Sequence, residues 1–379
     1  MRFAPTVVPP AVTQLRTDVR NFLEETLPVD FQPALGMGAE HSADFSRRLA
    51  ERGWVGMALP TPYGGSGRTA VERFVVAEEL LAAGAPVAAH WIADRQIGPA
   101  IALYGSEAQR ERFLPSIARG ECWFSLGMSE PDSGSDLASV RTKAARVDGG
   151  WRVSGTKVWT SGAHRNHFLV VLCRTSPRTE DRHGGLSQLI VDLRSDGVVV
   201  NPIPFLDGTH DFNEVVLTDV FVPDDMVLGE IGMGWSQVTS ELGYERAGPD
   251  RYLSSWQIML EFTRQYLTDE SDEEDRHLIG RLAGRLWGIR QMALSIAQAL
   301  DEGKAPAVEA ALLKDVGTVF EQEVIENIRD RIHLEQSPQA DSSFEILLAK
   351  GTLTGPSFTL RGGTNEILRT VAAKGLLNS

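Results

Sequence analysis

The stretch TLRGGTNEILR, Thr359 to Arg369, sets two adjacent glycines, Gly362 and Gly363, ahead of a helical pattern with apolar Ile367, Leu368 and Val371 on one face. Thr364 between them reads as the N-cap. Glycines before a helix N-terminus offer backbone N–H groups and room for a bulky or anionic ligand, but no reactive side chain. If this is an active-site turn, its reactive group has to be sought elsewhere. His164 and His167 in AHRNH stand three apart, lack a third ligand at suitable spacing and lead into a strand, so no metal site is expected. YGGSG, Tyr63 to Gly67, lies between helical segments with no strand before it, and reads as a turn rather than a dinucleotide loop. Cys122 and Cys173 are the only cysteines, too few for a disulfide framework or thiolate metal site; they read as buried small hydrophobes in a reducing cytoplasm.

The elements that must position such a turn come from a chain of 379 residues with 42% hydrophobic content, enough for two or three domains or layers. A formal charge of -14 and a pI near 5.1 argue against nucleic acid and anionic membrane as partners, so an anionic cofactor must be held by local groups. The N-terminal prolines interrupt any signal-peptide core, and no uncharged run approaches the ~20 residues of a membrane span. A soluble, unprocessed, cytoplasmic protein is expected.

From Val12 to about Gly120 the periodicity is helical, in AVTQLRTDVRNFLEET, SADFSRRLAERGW, AVERFVVAEELLAAG and SEAQRERFLPSIARG. From Trp123 short β-rich runs follow at hairpin spacing: VDGGWRVSGTKVWTSG, HFLVVLCRT, LSQLIVDL, GVVVNPIPF and NEVVLTDVFVP. After LGEIGMGW helical periodicity returns to the end. The expected architecture is α+β and multidomain: a helical region 1–122, a central antiparallel barrel or sandwich 123–230, and a helical bundle 231–379.

Four blocks in this order, SLGMSEPDSGSDLASVRTKAA, GGWRVSGTKVWTSGA, FNEVVLTDVFVPDDMVLGEIGMGW and RGGTNEILR, carry a resemblance to the acyl-CoA dehydrogenase family over nearly the whole chain. That resemblance implies a non-covalent FAD between the β domain and the C-terminal helices, with a thioester substrate against the flavin face. It implies ring contacts from Leu126, Met128 and Ser129, and a substrate or flavin contact from Ser135. Trp159 would add stacking area and Ser161 a hydrogen bond to the flavin; as a strand residue, Trp159 also reads as plain core.

Oxidising a saturated acyl thioester requires a base for the α proton while hydride leaves the β carbon. The thioester oxygen gains enolate character, for which a backbone N–H is a suitable donor. Most of the family supplies the base as a glutamate at the position matching Gly362, where this chain keeps only the amide. Three readings follow: the base has moved; the reaction needs none, as in elimination or desulfination on an acyl-CoA; or the chain is a non-catalytic partner subunit. Retention of Ser129 and Trp159 together argues against the last. Glu245-Arg246 in GWSQVTSELGYERAGP matches the position from which isovaleryl-CoA and long-chain members present their glutamate. The resemblance therefore implies Glu245 as catalytic base, Gly362 as amide donor, and Tyr244 and Arg246 beside the acyl group; an exposed helix carboxylate, with Arg246 in a structural ion pair, is the plain alternative. Pro249 cannot donate and crowds the carbonyl of Glu245, so the helix is expected to kink or open there, or to end at Gly248-Pro249.

The family clamps the FAD pyrophosphate with an arginine from a neighbouring subunit, and the matching position falls in DESDEED, Asp269 to Asp275, where six of seven residues are carboxylates. Such a run repels a pyrophosphate, and its plain reading is a solvated loop. A second element donated across subunits, a glutamine before a glycine pair, is not evident in HLEQSPQADSSFEILLAKGTLTGP, whereas Thr364 and Glu366 match positions that reach the flavin. The chain is similar in this to subunits of heteromeric actinobacterial members acting on sterol side chains, in which unlike subunits share each flavin. The alternative is a homo-oligomer gripping the pyrophosphate through Arg276, Arg281 or Arg285. The resemblance implies an electron-transferring flavoprotein as oxidant, and either CoA or acyl carrier protein as thioester carrier; the latter needs a local basic patch. Room at Gly362 would suit a branched or bulky acyl chain.

Overall fold

The computed structural model describes every residue except 1, 2, 5, 7, 37–39, 179, 246, 269–272, 333–339, 341, 378 and 379, and for 241–245 the helical backbone alone. Helices come first: α1 (Pro10–Thr26), α2 (Ala43–Glu51), α3 (Ala70–Ala82), α4 (Ala88–Ile92), a π-helical turn (Ala93–Ile97), α5 (Gly98–Tyr104) and α6 (Glu107–Ala118). The strands are β1 (Phe124–Gly127), β2 (Lys143–Val147), β3 (Gly150–Ser161), β4 (Phe168–Arg174), β5 (Leu186–Asp192), β6 (Val198–Pro202), β7 (Phe212–Pro223) and β8 (Val227–Leu228). Then follow α7 (Gly234–Glu245), α8 (Trp256–Tyr266), α9 (Glu273–Asp301), α10 (Ala307–Arg331), α11 (Ser343–Thr354) and α12 (Asn365–Leu377). The order α, β, α is the one the periodicity predicts. Among the described residues no helix is long and apolar enough to cross a membrane.

These elements form two compact units. One comprises Met1–Glu40, Thr69–Pro86 and Gly243–Ser379, the other His41–Arg68 and Val87–Leu242. The second unit holds an eight-stranded sheet in the order β6-β7-β3-β2-β4-β5-β8, with β1 added beside β4. The sheet is antiparallel in its long ladders, as expected, but β1 runs parallel to β4 and β2 meets β4 in parallel at Lys143 and Arg174. Hairpin reasoning missed this because more than a hairpin separates β1 from β4: a chain long enough to cross over allows parallel pairing. Leu169, Val170, Val171 and Ile190 are wholly buried; β4 reads as a continuous apolar run covered on both faces, and β5 is buried along its length with Ser187 and Gln188 within it. Capping boxes at Thr69/Glu72 and Ser106/Gln109 start α3 and α6.

In the helical unit, Val19, Val75, Ile258, Leu282, Leu313, Phe320 and Leu368 are buried, each worth about 1.5–3 kcal/mol. Buried Glu78 of α3 accepts two bonds from Arg290 of α9, at 2.7 and 2.9 Å, and one from Arg16 of α1 at 2.7 Å. The Tyr252 hydroxyl donates to the same carboxylate at 3.4 Å. Three helices and the segment after α7 are thereby tied to one anion.

Candidate active site

The sheet unit carries a continuous polar and aromatic wall. β1 ends at Gly127, and the chain from Met128 to Glu130 lies against β3: Val158 N–H donates to Ser129 O at 2.9 Å, and Ser125 Oγ to Ser161 O at 2.8 Å. Lys157, wholly buried, donates from Nζ to Met128 O at 3.1 Å and to Glu130 Oε1 at 2.8 Å. Glu130 also takes the Arg141 and Thr142 amides, at 2.6 and 2.8 Å. Burial alone would raise its carboxyl, but Lys157 and these donors hold it below the ordinary glutamate range, while burial draws the Lys157 ammonium down against the pull of Glu130.

That clamp sits where β3 is irregular, its register with β7 shifting between Lys157 and Thr160. At the irregularity Trp159 adopts φ +60°, which L side chains rarely occupy, and is 57% exposed with Phe212 against its edge. A strand tryptophan of the core would be covered; this one is held out by its backbone. Leu126, Met128, Ser129 and Ser161 around it are each half-buried. Ser135 is exposed in the loop after the Glu130–Ser133 turn.

In the helical unit the turn before α12 has Gly362 at φ +67° and Gly363 at φ +90°. Thr364 caps the helix, its Oγ1 accepting from Ile367 N–H at 3.4 Å, as expected. Glu366 is exposed in the first turn, its carboxyl kept below the ordinary range by its own amide and by Thr364. Buried cations fix the turn from beneath. Lys314 of α10 donates to Thr359 O at 2.8 Å and Asn365 Oδ1 at 2.6 Å. Burial, with Arg251 and Arg361 nearby, brings its ammonium down to about 7. Arg361 reaches Glu321 Oε2 at 3.0 Å, Ser254 Oγ at 2.6 Å and Asp250 O at 3.1 Å.

The space beside Gly362 is not empty. A Cβ built on it would meet the guanidinium of Arg251 at 3.0–3.1 Å. The extra room for an acyl chain expected from the glycine is taken by this side chain.

Glu245 is the last residue of α7. Pro249, after extended Gly248, opens the 3-10 turn Pro249–Arg251; the kink expected at Glu245 turns on position 246, outside the described residues. The side chains of Tyr244 and Glu245, and all of Arg246, lie outside the described residues. So does the run 269–272, while Glu273, Glu274 and Asp275 form the first turn of α9, a favourable place for carboxylates. Arg331 pairs with Asp275 at 2.7 Å and Glu274 at 2.5 Å. Arg276 donates to Thr268 O at 3.3 Å, Arg281 to Asn327 Oδ1 at 2.7 Å, and Arg285 pairs with Glu323. All three arginines offered for a pyrophosphate are thus engaged within their own chain. Sequence reasoning missed Lys157, Glu130, Arg251, Arg361 and Lys314; a lysine at an inward strand position and charged residues flanking the glycines were the available signals.

Comparison with known proteins places this geometry. The family model described as acyl-CoA dehydrogenase, N-terminal domain, matches residues 9–121, and that described as acyl-CoA dehydrogenase, middle domain, matches 125–220. The chain belongs to the acyl-CoA dehydrogenase family, and is an acyl-CoA dehydrogenase oxidoreductase with FAD as cofactor. It is 33% identical over 384 residues to acyl-CoA dehydrogenase IpdE1 of Mycobacterium tuberculosis, covering 97% of each chain. With acyl-CoA dehydrogenase FadE34 of the same organism it is 34% identical over 338 residues, 87% of this chain and 45% of that protein, so it spans about half the length of that relative. Among solved structures it resembles the Tcur3481-Tcur3483 steroid ACAD, with TM-score 0.86, 27% identity and 100% and 99% of the two chains covered. It also resembles the ChsE4-ChsE5 complex from Mycobacterium tuberculosis, with TM-score 0.82, 27% identity and the same coverage.

The residues present suit the flavin ring. A flat apolar ring system with a hydrogen-bonding edge needs a flat exposed partner and nearby hydroxyls, and Trp159 with Ser129 and Ser161 offers both on one wall.

Proposed function

We propose that this chain introduces an α,β double bond into an acyl thioester, with Glu245 removing the α proton and the Gly362 amide serving the thioester oxygen. One observation carries the reading. The turn at 362 contributes backbone and no side chain, its side-chain space holding a guanidinium, so the base belongs to another element. Glu245, at the end of α7 where the chain leaves the helix before Gly248-Pro249, is the carboxylate that the family pattern points to. Bound FAD supplies the hydride acceptor. Leu126, Met128, Ser129, Trp159 and Ser161 hold and orient its ring, Thr364 and Glu366 meet it from the turn, and Ser135, Tyr244 and Arg246 contact the acyl thioester. The amide stabilises charge on the thioester oxygen only as the α proton leaves, which is what accelerates that step.

The flavin site is completed by a second, related subunit. Arg281 and Arg285 are committed to α10, and a carboxylate-rich turn stands where the family's pyrophosphate clamp falls. Two similar structures are themselves named as two-component assemblies. The relatives named for steroid and mycobacterial acyl-CoA dehydrogenation favour a bulky acyl-CoA over an acyl carrier protein thioester. An electron-transferring flavoprotein then takes the electrons.

The test is Glu245→Gln, assayed with butyryl-, isovaleryl-, octanoyl- and sterol side-chain acyl-CoA in the fully assembled protein. Loss of a general base costs 10²–10⁴-fold, so turnover falls by about that factor while the yellow, FAD-bound protein persists. Near-normal activity contradicts the assignment.

A further inference from the structure

Arg251 closes the 3-10 turn Pro249–Arg251 and is 1% exposed. Its Nε lies 3.0 Å from Asp250 Oδ2, itself buried. A Cβ on Gly362 would lie 3.0 Å from Nη2 and 3.1 Å from Cζ and Nη1. Such separations are shorter than van der Waals contact, so a side chain at 362 needs the guanidinium to move. The backbone that carries it is fixed, and its Nε stays beside Asp250. The Arg251 carbonyl packs on Gly317 of α10, where an added Cβ would collide with it. Arg361 donates to Asp250 O at 3.1 Å, and Tyr252 is fastened to Glu78. The left-handed φ of Gly362, +67°, is a second and separate barrier to any L side chain.

We propose that Arg251 occupies the side-chain space of position 362 and confines that turn to what a backbone amide can do. Position 362 is therefore closed to an acid or base, not merely vacated by one. Charge acts in the same direction as bulk: a carboxylate forced in beside the guanidinium would be paired and held ionised, and so would accept a proton weakly. The catalytic meaning of this rests on the reading that places the base at Glu245; the geometry of the lock does not.

The test is a thermal-unfolding cycle on the FAD-loaded protein. Gly362→Ala is compared in the native background and in Asp250→Asn/Arg251→Ala, which removes both charges so that no buried carboxylate is left unpaired. Gly362→Ala is expected to lower Tm by on the order of 5 °C in the native background and by about half that or less in the second, where only backbone strain remains. Equal losses in the two backgrounds overturn the inference. Should the double variant not fold, Arg251→Lys keeps the charge opposite Asp250 but removes the planar fork, and the same reduction is expected. A second readout uses the acyl-CoA panel above: Glu245→Gln/Gly362→Glu stays at the level of Glu245→Gln, and adding Asp250→Asn/Arg251→Ala, which removes both the bulk and the cation, raises it at least tenfold. Recovery with Arg251 intact overturns the lock. A fully active Glu245→Gln protein instead removes the reading of Glu245, and the thermal cycle still decides on Arg251.

Discussion

Lys157 Nζ lies 2.8 Å from Glu130 Oε1, with both side chains buried, and this pair fastens the Met128–Glu130 segment to the strand that presents Trp159. Neither residue faces solvent, so neither charge has water to fall back on. Lys157→Met leaves the buried Glu130 carboxylate without its cation and is expected to cost about 3–5 kcal/mol, while Lys157→Met/Glu130→Gln recovers part of it, the amide oxygen keeping one of the Arg141 and Thr142 N–H bonds. Chemical denaturation of the three proteins checks this; equal costs for the single and double variants contradict it. The depressed Glu130 carboxyl also contributes stability that is present above its unfolded value of 4.5 and lost as pH falls through its folded one.

Trp159 is exposed and left-handed at once, so its substitution should separate folding from cofactor retention. Trp159→Gly relieves the backbone strain, about 1 kcal/mol for such a residue, and so raises the Tm of the cofactor-free protein slightly. It weakens FAD binding by several-fold to roughly tenfold, the worth of a lost aromatic contact. Calorimetric Tm without FAD and flavin fluorescence titration read the two effects. A fall in both places Trp159 in the core instead.

His90 is wholly buried with Ser46 Oγ 2.8 Å from its Nδ1, and burial, aided by His41, pulls the imidazole from 6.5 down to about 3. The unfolded chain therefore binds this proton at a higher pH than the folded one. Stability is complete above pH 6.5 and falls as pH drops towards 3, by up to about 1.4 kcal/mol per pH unit. His90→Gln flattens that slope between pH 6.5 and 4. An unchanged slope contradicts the assignment.

The commitment of Arg281 and Arg285 to α10 bears on assembly. Expressed alone, the chain should hold FAD substoichiometrically and gain it on addition of a related partner subunit. A homotetramer from this one chain with one tightly bound FAD per subunit contradicts the two-component site.

Local periodicity made the α, β, α order and the long strands legible, because each strand and helix face repeats its own apolar spacing. Thr364 announced its cap for the same local reason. What stayed hidden was short or distant. β8 has two residues, too few for a pattern. Lys157 with Glu130, and Arg251 with Gly362, are contacts between residues far apart in sequence. A buried ion pair is spelled with the same letters as a solvated surface, so only packing reveals which it is. Glycine at 362 was legible as a missing side chain, but not the arginine that fills its place.

The central claim, proton removal by Glu245 coupled to hydride transfer to flavin, is tested most directly by anaerobic titration of the flavin spectrum with acyl-CoA and acyl carrier protein thioesters, in the wild type and in Glu245→Gln. The account predicts stoichiometric bleaching of the wild-type flavin by an acyl-CoA and none on the same timescale in the variant, with FAD content equal in both. Product formation from an acyl-CoA without bleaching in the wild type, or equal bleaching in the two proteins, contradicts it.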